Sequence, residues 1–104
     1  FSADSTEERT AAFVKNYKEK YNDTPNQFAA DAYDALYIIK AAIEKADVKP
    51  SQSVSEIGDA LEKAITELTY EGITGKGMTW SESGEVNKAP MAVVIKNGVY
   101  VSAE

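Results

Sequence analysis

The sequence predicts an α/β chain in which three amphipathic helices precede a strand near Trp80 and a terminal β-hairpin. Three observations predict it. Apolar residues recur at every third or fourth position from Phe13 to Leu68, the helical period. From Tyr70 that rhythm stops, and Gly72, Gly75 and Gly77 interrupt the chain. β-Branched runs then flank Asn97-Gly98, a pair suited to a type I′ turn because both central residues there need positive φ.

The first helix is predicted from about Thr6 to Tyr21. Ser5 reads as its N-cap, with Glu8 three places on and acids in the first turn, where the helix dipole favours them. Phe13, Tyr17 and Tyr21 form its stripe, widened by Val14, and Asn22-Asp23-Thr24-Pro25 ends it. A second helix is predicted from Asn26 or Gln27 to Ala46. Phe28, Tyr33, Leu36, Tyr37, Ile38, Ile39 and Ile43, with alanines between them, cover well over half its circumference. A helix apolar nearly all round asks for burial on more than one side. A polar linker, Asp47 to Gln52, leads to a third helix from Val54 to Leu68, with Ser53 and Glu56 as a capping box and one apolar face. Met78 to Trp80 has strand character, Ser81 to Glu85 reads as a turn, and Asn87-Lys88-Ala89-Pro90 as a second interruption. Met91 to Ile95 and Val99 to Val101 supply the hairpin.

The chain has 104 residues, 43% of them hydrophobic, and 17 acidic against 11 basic side chains give a net charge of −6. That suits one small packed unit. It argues against nucleic acid and anionic membrane as partners, since both require a dense cationic face. Cysteine and histidine are both absent. Disulfides, thiolate-zinc sites, thiol nucleophiles and serine–histidine triads are thereby excluded. No apolar run approaches the roughly 20 residues that span a bilayer. Phe1, not Met, opens the chain, so an internal cut with residues missing upstream is expected.

Several constellations invite chemistry and do not sustain it. Gly72-Ile73-Thr74-Gly75-Lys76-Gly77 has the glycines of a phosphate loop, but a helix precedes it and Gly77 follows Lys76 where Ser or Thr should begin a helix. It reads as a tight connection. Ser81 to Val86 lacks the alternating oxygen ligands and closing glutamate of a calcium loop and reads as an acidic turn. Asp31 and Asp34 lie three apart on one helix without the partners of acid–base machinery. Each is expected to bond a neighbouring loop or a lysine. No catalytic residue, metal site or cofactor is predicted. Phe13, Tyr17, Tyr21 and Tyr33 are assigned to the core. Phe28 is the candidate binding residue: it stands in the first turn of the second helix, just after Thr24-Pro25-Asn26-Gln27. A bulky apolar side chain there either walls a ligand pocket or serves as a hydrophobic staple.

The order of segments adds a resemblance. Phe13-Val14-Lys15-Asn16-Tyr17-Lys18-Glu19-Lys20-Tyr21, Pro25-Asn26-Gln27-Phe28-Ala29-Ala30 and Tyr33-Asp34-Ala35 form one block. Ala60-Leu61-Glu62-Lys63-Ala64 and Tyr70-Glu71-Gly72-Ile73-Thr74-Gly75 form a second. Thr79-Trp80-Ser81-Glu82-Ser83-Gly84-Glu85 and the hairpin with Lys96-Asn97-Gly98 form a third. Together they resemble the carboxy-terminal third of a type I solute-binding protein of an ABC transporter, in the branched-chain amino-acid receptor group.

The resemblance implies a carboxy-terminal fragment of a two-lobed fold, each lobe a mostly parallel sheet flanked by helices, with ligand bound between them. Residues 1–78 would be first-lobe helices and connection, 79–90 a crossover, and 91–104 a second-lobe hairpin. The intact receptor would capture an amino acid, branched-chain in this group, outside the cytoplasm and deliver it to a membrane permease. Phe28 would help wall the cleft, while most polar ligand contacts would lie upstream of Phe1. The chain alone is therefore expected to bind amino acids weakly or not at all. It is also expected to self-associate, burying Leu36, Ile39 and Ile43. A ligand-sensing domain of the same fold in a receptor or regulator, and a helical protein-interaction module, are the alternative readings.

Overall fold

The computed structural model describes residues 1–103. Helices α1 (Glu8–Tyr21), α2 (Gln27–Ala46) and α3 (Val54–Thr66) precede β1 (Thr79–Trp80), β2 (Val86–Asn87), β3 (Val93–Lys96) and β4 (Val99–Ser102). This is the order expected from periodicity. β2 is an addition, since Asn87 reads in sequence as an interruption.

Helix ends follow local chemistry. The cap of α1 is Glu7, not Ser5. Its carboxylate accepts from the Thr10 backbone N–H at 3.0 Å and the Thr10 hydroxyl at 2.6 Å, and these bonds hold its carboxyl below the usual glutamate range. The Ser5 hydroxyl accepts only from the Glu7 N–H, at 3.3 Å. A charged acceptor with two donors on the first turn outcompetes a hydroxyl. Asn26 caps α2 by accepting from the Ala29 N–H at 3.0 Å. On α3 the predicted capping box is complete, with bonds in both directions between Ser53 and Glu56. That helix ends at Thr66, two residues short of expectation, because the amides of Glu67 and Leu68 turn back to the carbonyls of Ala64 and Ile65 three residues earlier.

α1 meets α2 through aromatic rings. Phe13 lies 4.8 Å from Tyr33 and 5.9 Å from both Phe1 and Tyr17, measured between ring centroids. Phe1, Phe13, Val14, Ala30 and Ile73 form the buried cluster. Tyr21, assigned to the core by its spacing, is exposed and lies against Tyr17 and under Lys20. The stripe runs one turn further than the neighbouring helix covers. α2 and α3 approach closely where Ala42 and Ala64 are buried, small side chains that let the two backbones come together.

One flank of α2 is bare. Leu36 is 68% exposed, Ile39 49% and Ile43 42%, so one flank of the apolar girdle faces solvent. The molecule is correspondingly open. Its radius of gyration is 16.0 Å, whereas a compact chain of this length has about 13 Å. Its accessible surface is 7336 Å², against about 5,700 Å² for a folded monomer of this mass.

The strands form two separate antiparallel pairs, β1–β2 and β3–β4. Thr79 faces Asn87 and Trp80 faces Val86, closed by a turn in which the Gly84 N–H bonds the Ser81 carbonyl and the Ser81 N–H bonds the Glu85 carbonyl. Gly84, at φ 84°, permits that return. In the terminal hairpin Asn97 and Gly98 have φ 51° and 79°, the left-handed pair that the dipeptide predicts. Residues 3 and 4 run beside β4: the Ala3 N–H bonds the Tyr100 carbonyl and the Ser102 N–H bonds the Asp4 carboxylate. The chain thus passes between the helical body and the hairpin at two places, near residues 1–5 and 88–92.

Candidate functional site

Asp34 and Asp31 resolve differently. Asp34 is only 2% exposed and is fully engaged by the loop after α3. It accepts from the Ile73 N–H at 3.0 Å, the Thr74 N–H at 2.8 Å and the Thr74 hydroxyl at 2.7 Å. The Gly72 N–H bonds the Gly75 carbonyl, closing the loop on itself. A side chain at Gly72 would collide with the Asp34 carboxylate and the Met78 methyl. The glycine loop is therefore a cage around a carboxylate, with the amides of Gly72, Ile73, Thr74 and Gly77 bonded within the chain. Asp31 accepts from the Gln27 side-chain amide at 2.8 Å and pairs with Lys88 at 3.5 Å. Both aspartates thus bind a loop or a lysine, as their surroundings in sequence suggest. Among the described residues no cluster of acidic side chains is arranged to hold a metal ion.

Phe28 is a different case. It sits in the first turn of α2, directly behind the Asn26 cap, and is 81% exposed. A staple would be packed against its own helix entry; Phe28 instead lines a cavity of about 470 Å³. Its other walls are Phe1, Met91, Val93 and Tyr100, with Asn26 and Gln27 at the helix end. Each amide is engaged at one end: the Asn26 oxygen accepts from the Ala29 N–H as the cap, and the Gln27 NH₂ donates to Asp31. The lining that remains is apolar, apart from the Tyr100 hydroxyl. The volume falls within the roughly 300–1,000 Å³ of small-molecule sites.

Sequence reading singled out only Phe28 in this group. Met91 and Val93 read there as hairpin residues, and Tyr100 as one tyrosine among six. Their shared position depends on how the hairpin folds back toward α2, which no local pattern records.

A second cavity, of about 540 Å³, lies between α2, α3 and the β1–β2 turn, lined by Ala35, Ile38, Ile39, Ile65 and Trp80. It opens on the bare flank of α2 and continues it. Its aliphatic floor is rimmed by the polar side chains of Glu62, Thr66, Ser81, Glu82 and Ser83.

The family model for periplasmic binding proteins matches residues 1–98 of the chain. A crystal structure from Rhodospirillum rubrum, of a protein put forward as a branched-chain amino acid ABC transporter, superposes with a TM-score of 0.70 at 28% identity. The match covers 98% of this chain and 28% of that one, so the chain spans little more than a quarter of the length of its structural relative. No curated protein sequence matches the chain.

Proposed function

This chain belongs to the periplasmic binding protein family, and from that premise we propose that it is the carboxy-terminal part of the substrate-binding component of an ABC transporter. The complete receptor takes up an amino acid, branched-chain by preference, between two lobes outside the cytoplasm and hands it to a permease. Residues 1–78 belong to the first lobe, 79–90 to the crossover and 91–104 to the second. Phe28 walls the cleft from the first-lobe side. No covalent step is involved.

The observation that carries this reading is the exposed Phe28 on an apolar cavity at the start of α2. An aromatic ring held out from a helix end, opposite a second apolar wall, is costly in water and useful only when something covers it. Isothermal titration of the full-length protein with leucine, isoleucine and valine tests the reading. Micromolar binding of at least one is expected; binding of none would refute it. Titration of the chain alone is expected to give no such heat.

The bare flank of α2 supports the two-lobed reading independently. The surface beyond that of a compact monomer exceeds the roughly 800 Å² that each partner contributes to a standard interface. In the full receptor the flank lies under the first-lobe sheet. Expressed alone, the chain is expected to self-associate through Leu36, Ile39 and Ile43. Sedimentation of the chain should show dimers or larger species, and a Leu36→Glu, Ile39→Glu variant should shift toward monomer. A monodisperse monomer at high concentration would contradict this.

A further inference from the structure

We infer that Met91 and Tyr100 form the second wall of the subsite that takes the ligand's side chain, with Met91 setting how large that side chain can be. The inference rests on the amino-acid receptor reading above and adds to it the residues that select among ligands.

Four observations converge. The cavity at Phe28 is shared between two parts of the molecule: Asn26, Gln27 and Phe28 come from α2, whereas Met91, Val93 and Tyr100 come from the hairpin unit. Those parts are joined through the passages near residues 1–5 and 88–92, and Met91 stands at the second of these. No charged side chain lines the cavity, and most of its wall is apolar or aromatic: Phe1, Phe28, Met91, Val93 and Tyr100. An ammonium or carboxylate placed there would find no opposite charge to offset the water it loses. An aliphatic or aromatic group would lose nothing. The cavity is therefore built for an amino acid's side chain, with the ligand's charged groups held elsewhere. Met91 and Tyr100 also remain exposed although both are large and apolar over most of their surface, as expected of surfaces that await a ligand.

Met91 is the adjustable element. It follows Ala89-Pro90 and precedes β3, and its unbranched side chain is free to adapt. In an apolar pocket a single methylene changes relative affinity by 10-fold or more. Met91→Ala enlarges the pocket and Met91→Trp fills it.

Titration of the full-length protein and both variants with alanine, leucine and phenylalanine tests this. Met91→Ala is expected to raise affinity for phenylalanine relative to leucine by roughly tenfold, and Met91→Trp to lower affinity for leucine relative to alanine by roughly tenfold. A merely structural role for Met91 would weaken all ligands together and cannot shift the ratios in opposite directions. Ratios within twofold of the parent in both variants would overturn the inference while leaving the receptor reading intact. A parent protein that binds none of the three would overturn both. Because Met91 is exposed, both variants should fold.

Discussion

Phe28→Ala is expected to weaken leucine binding by the full-length protein between roughly 10-fold and 100-fold while leaving its stability almost unchanged. The magnitude follows from contact area. Covering a phenylalanine side chain is worth about 1.5–3 kcal/mol, and each 1.4 kcal/mol is about a factor of ten in affinity. The near-absence of a stability effect follows from the ring's exposure: at 81% exposed it contributes little to the core, and surface substitutions ordinarily stay within about 0.5 kcal/mol. A hydrophobic staple would give the reverse pattern, with lost stability and unchanged affinity. Calorimetric titration and urea denaturation of the same variant separate the two. Phe28→Leu should fall between the parent and the alanine variant in affinity.

The second large effect is expected at Asp34. Asp34→Ala removes the acceptor for two backbone N–H groups and one hydroxyl, all buried. Each buried donor left without a partner costs about 1–3 kcal/mol, so a loss on the order of 4 kcal/mol is expected. Asp34→Asn should be nearly as damaging, because its NH₂ group turns a donor toward donors and only one oxygen remains to accept. Thr74→Val, which removes the hydroxyl bond and spares both amides, should cost only about 1 kcal/mol. The order Asp34→Ala, Asp34→Asn, Thr74→Val in urea midpoints checks the cage directly. Equal and small losses in all three would mean that the loop is held by its own turn and not by the carboxylate. Leucine affinity is expected to follow stability only, since Asp34 does not line the cavity at Phe28.

Much of this was legible in sequence, and the reasons are physical. Helix positions were legible because apolar spacing and capping are local, and Asn26, Ser53 and the Asn97-Gly98 turn act within a few residues of themselves. The competition between Ser5 and Glu7 was not, since it turns on Thr10 offering two donors to one carboxylate. β2 was missed because a two-residue strand has no period, and Val86 pairs with Trp80 only once Gly84 has turned the chain. Tyr21 misled because spacing reports a helix face but not how far the neighbouring helix extends. At the site, Phe28 was legible as a large ring at a helix start. Met91 and Tyr100 were not, because they join it only through the path of the chain near residues 88–92. The girdle of α2 was legible as a demand for burial, and the bare flank at Leu36, Ile39 and Ile43 is that demand left unmet within these residues.

Hydrogen–deuterium exchange of the full-length protein, with and without saturating leucine, tests most directly whether ligand sits between α2's first turn and the hairpin. Peptides covering residues 26–31 and those covering 88–93 should both gain protection when leucine binds, while peptides from α3 should not change. Leucine-dependent protection of α3 and the β1–β2 turn, with none at residues 26–31 or 88–93, would contradict the account and move the ligand to the other cavity.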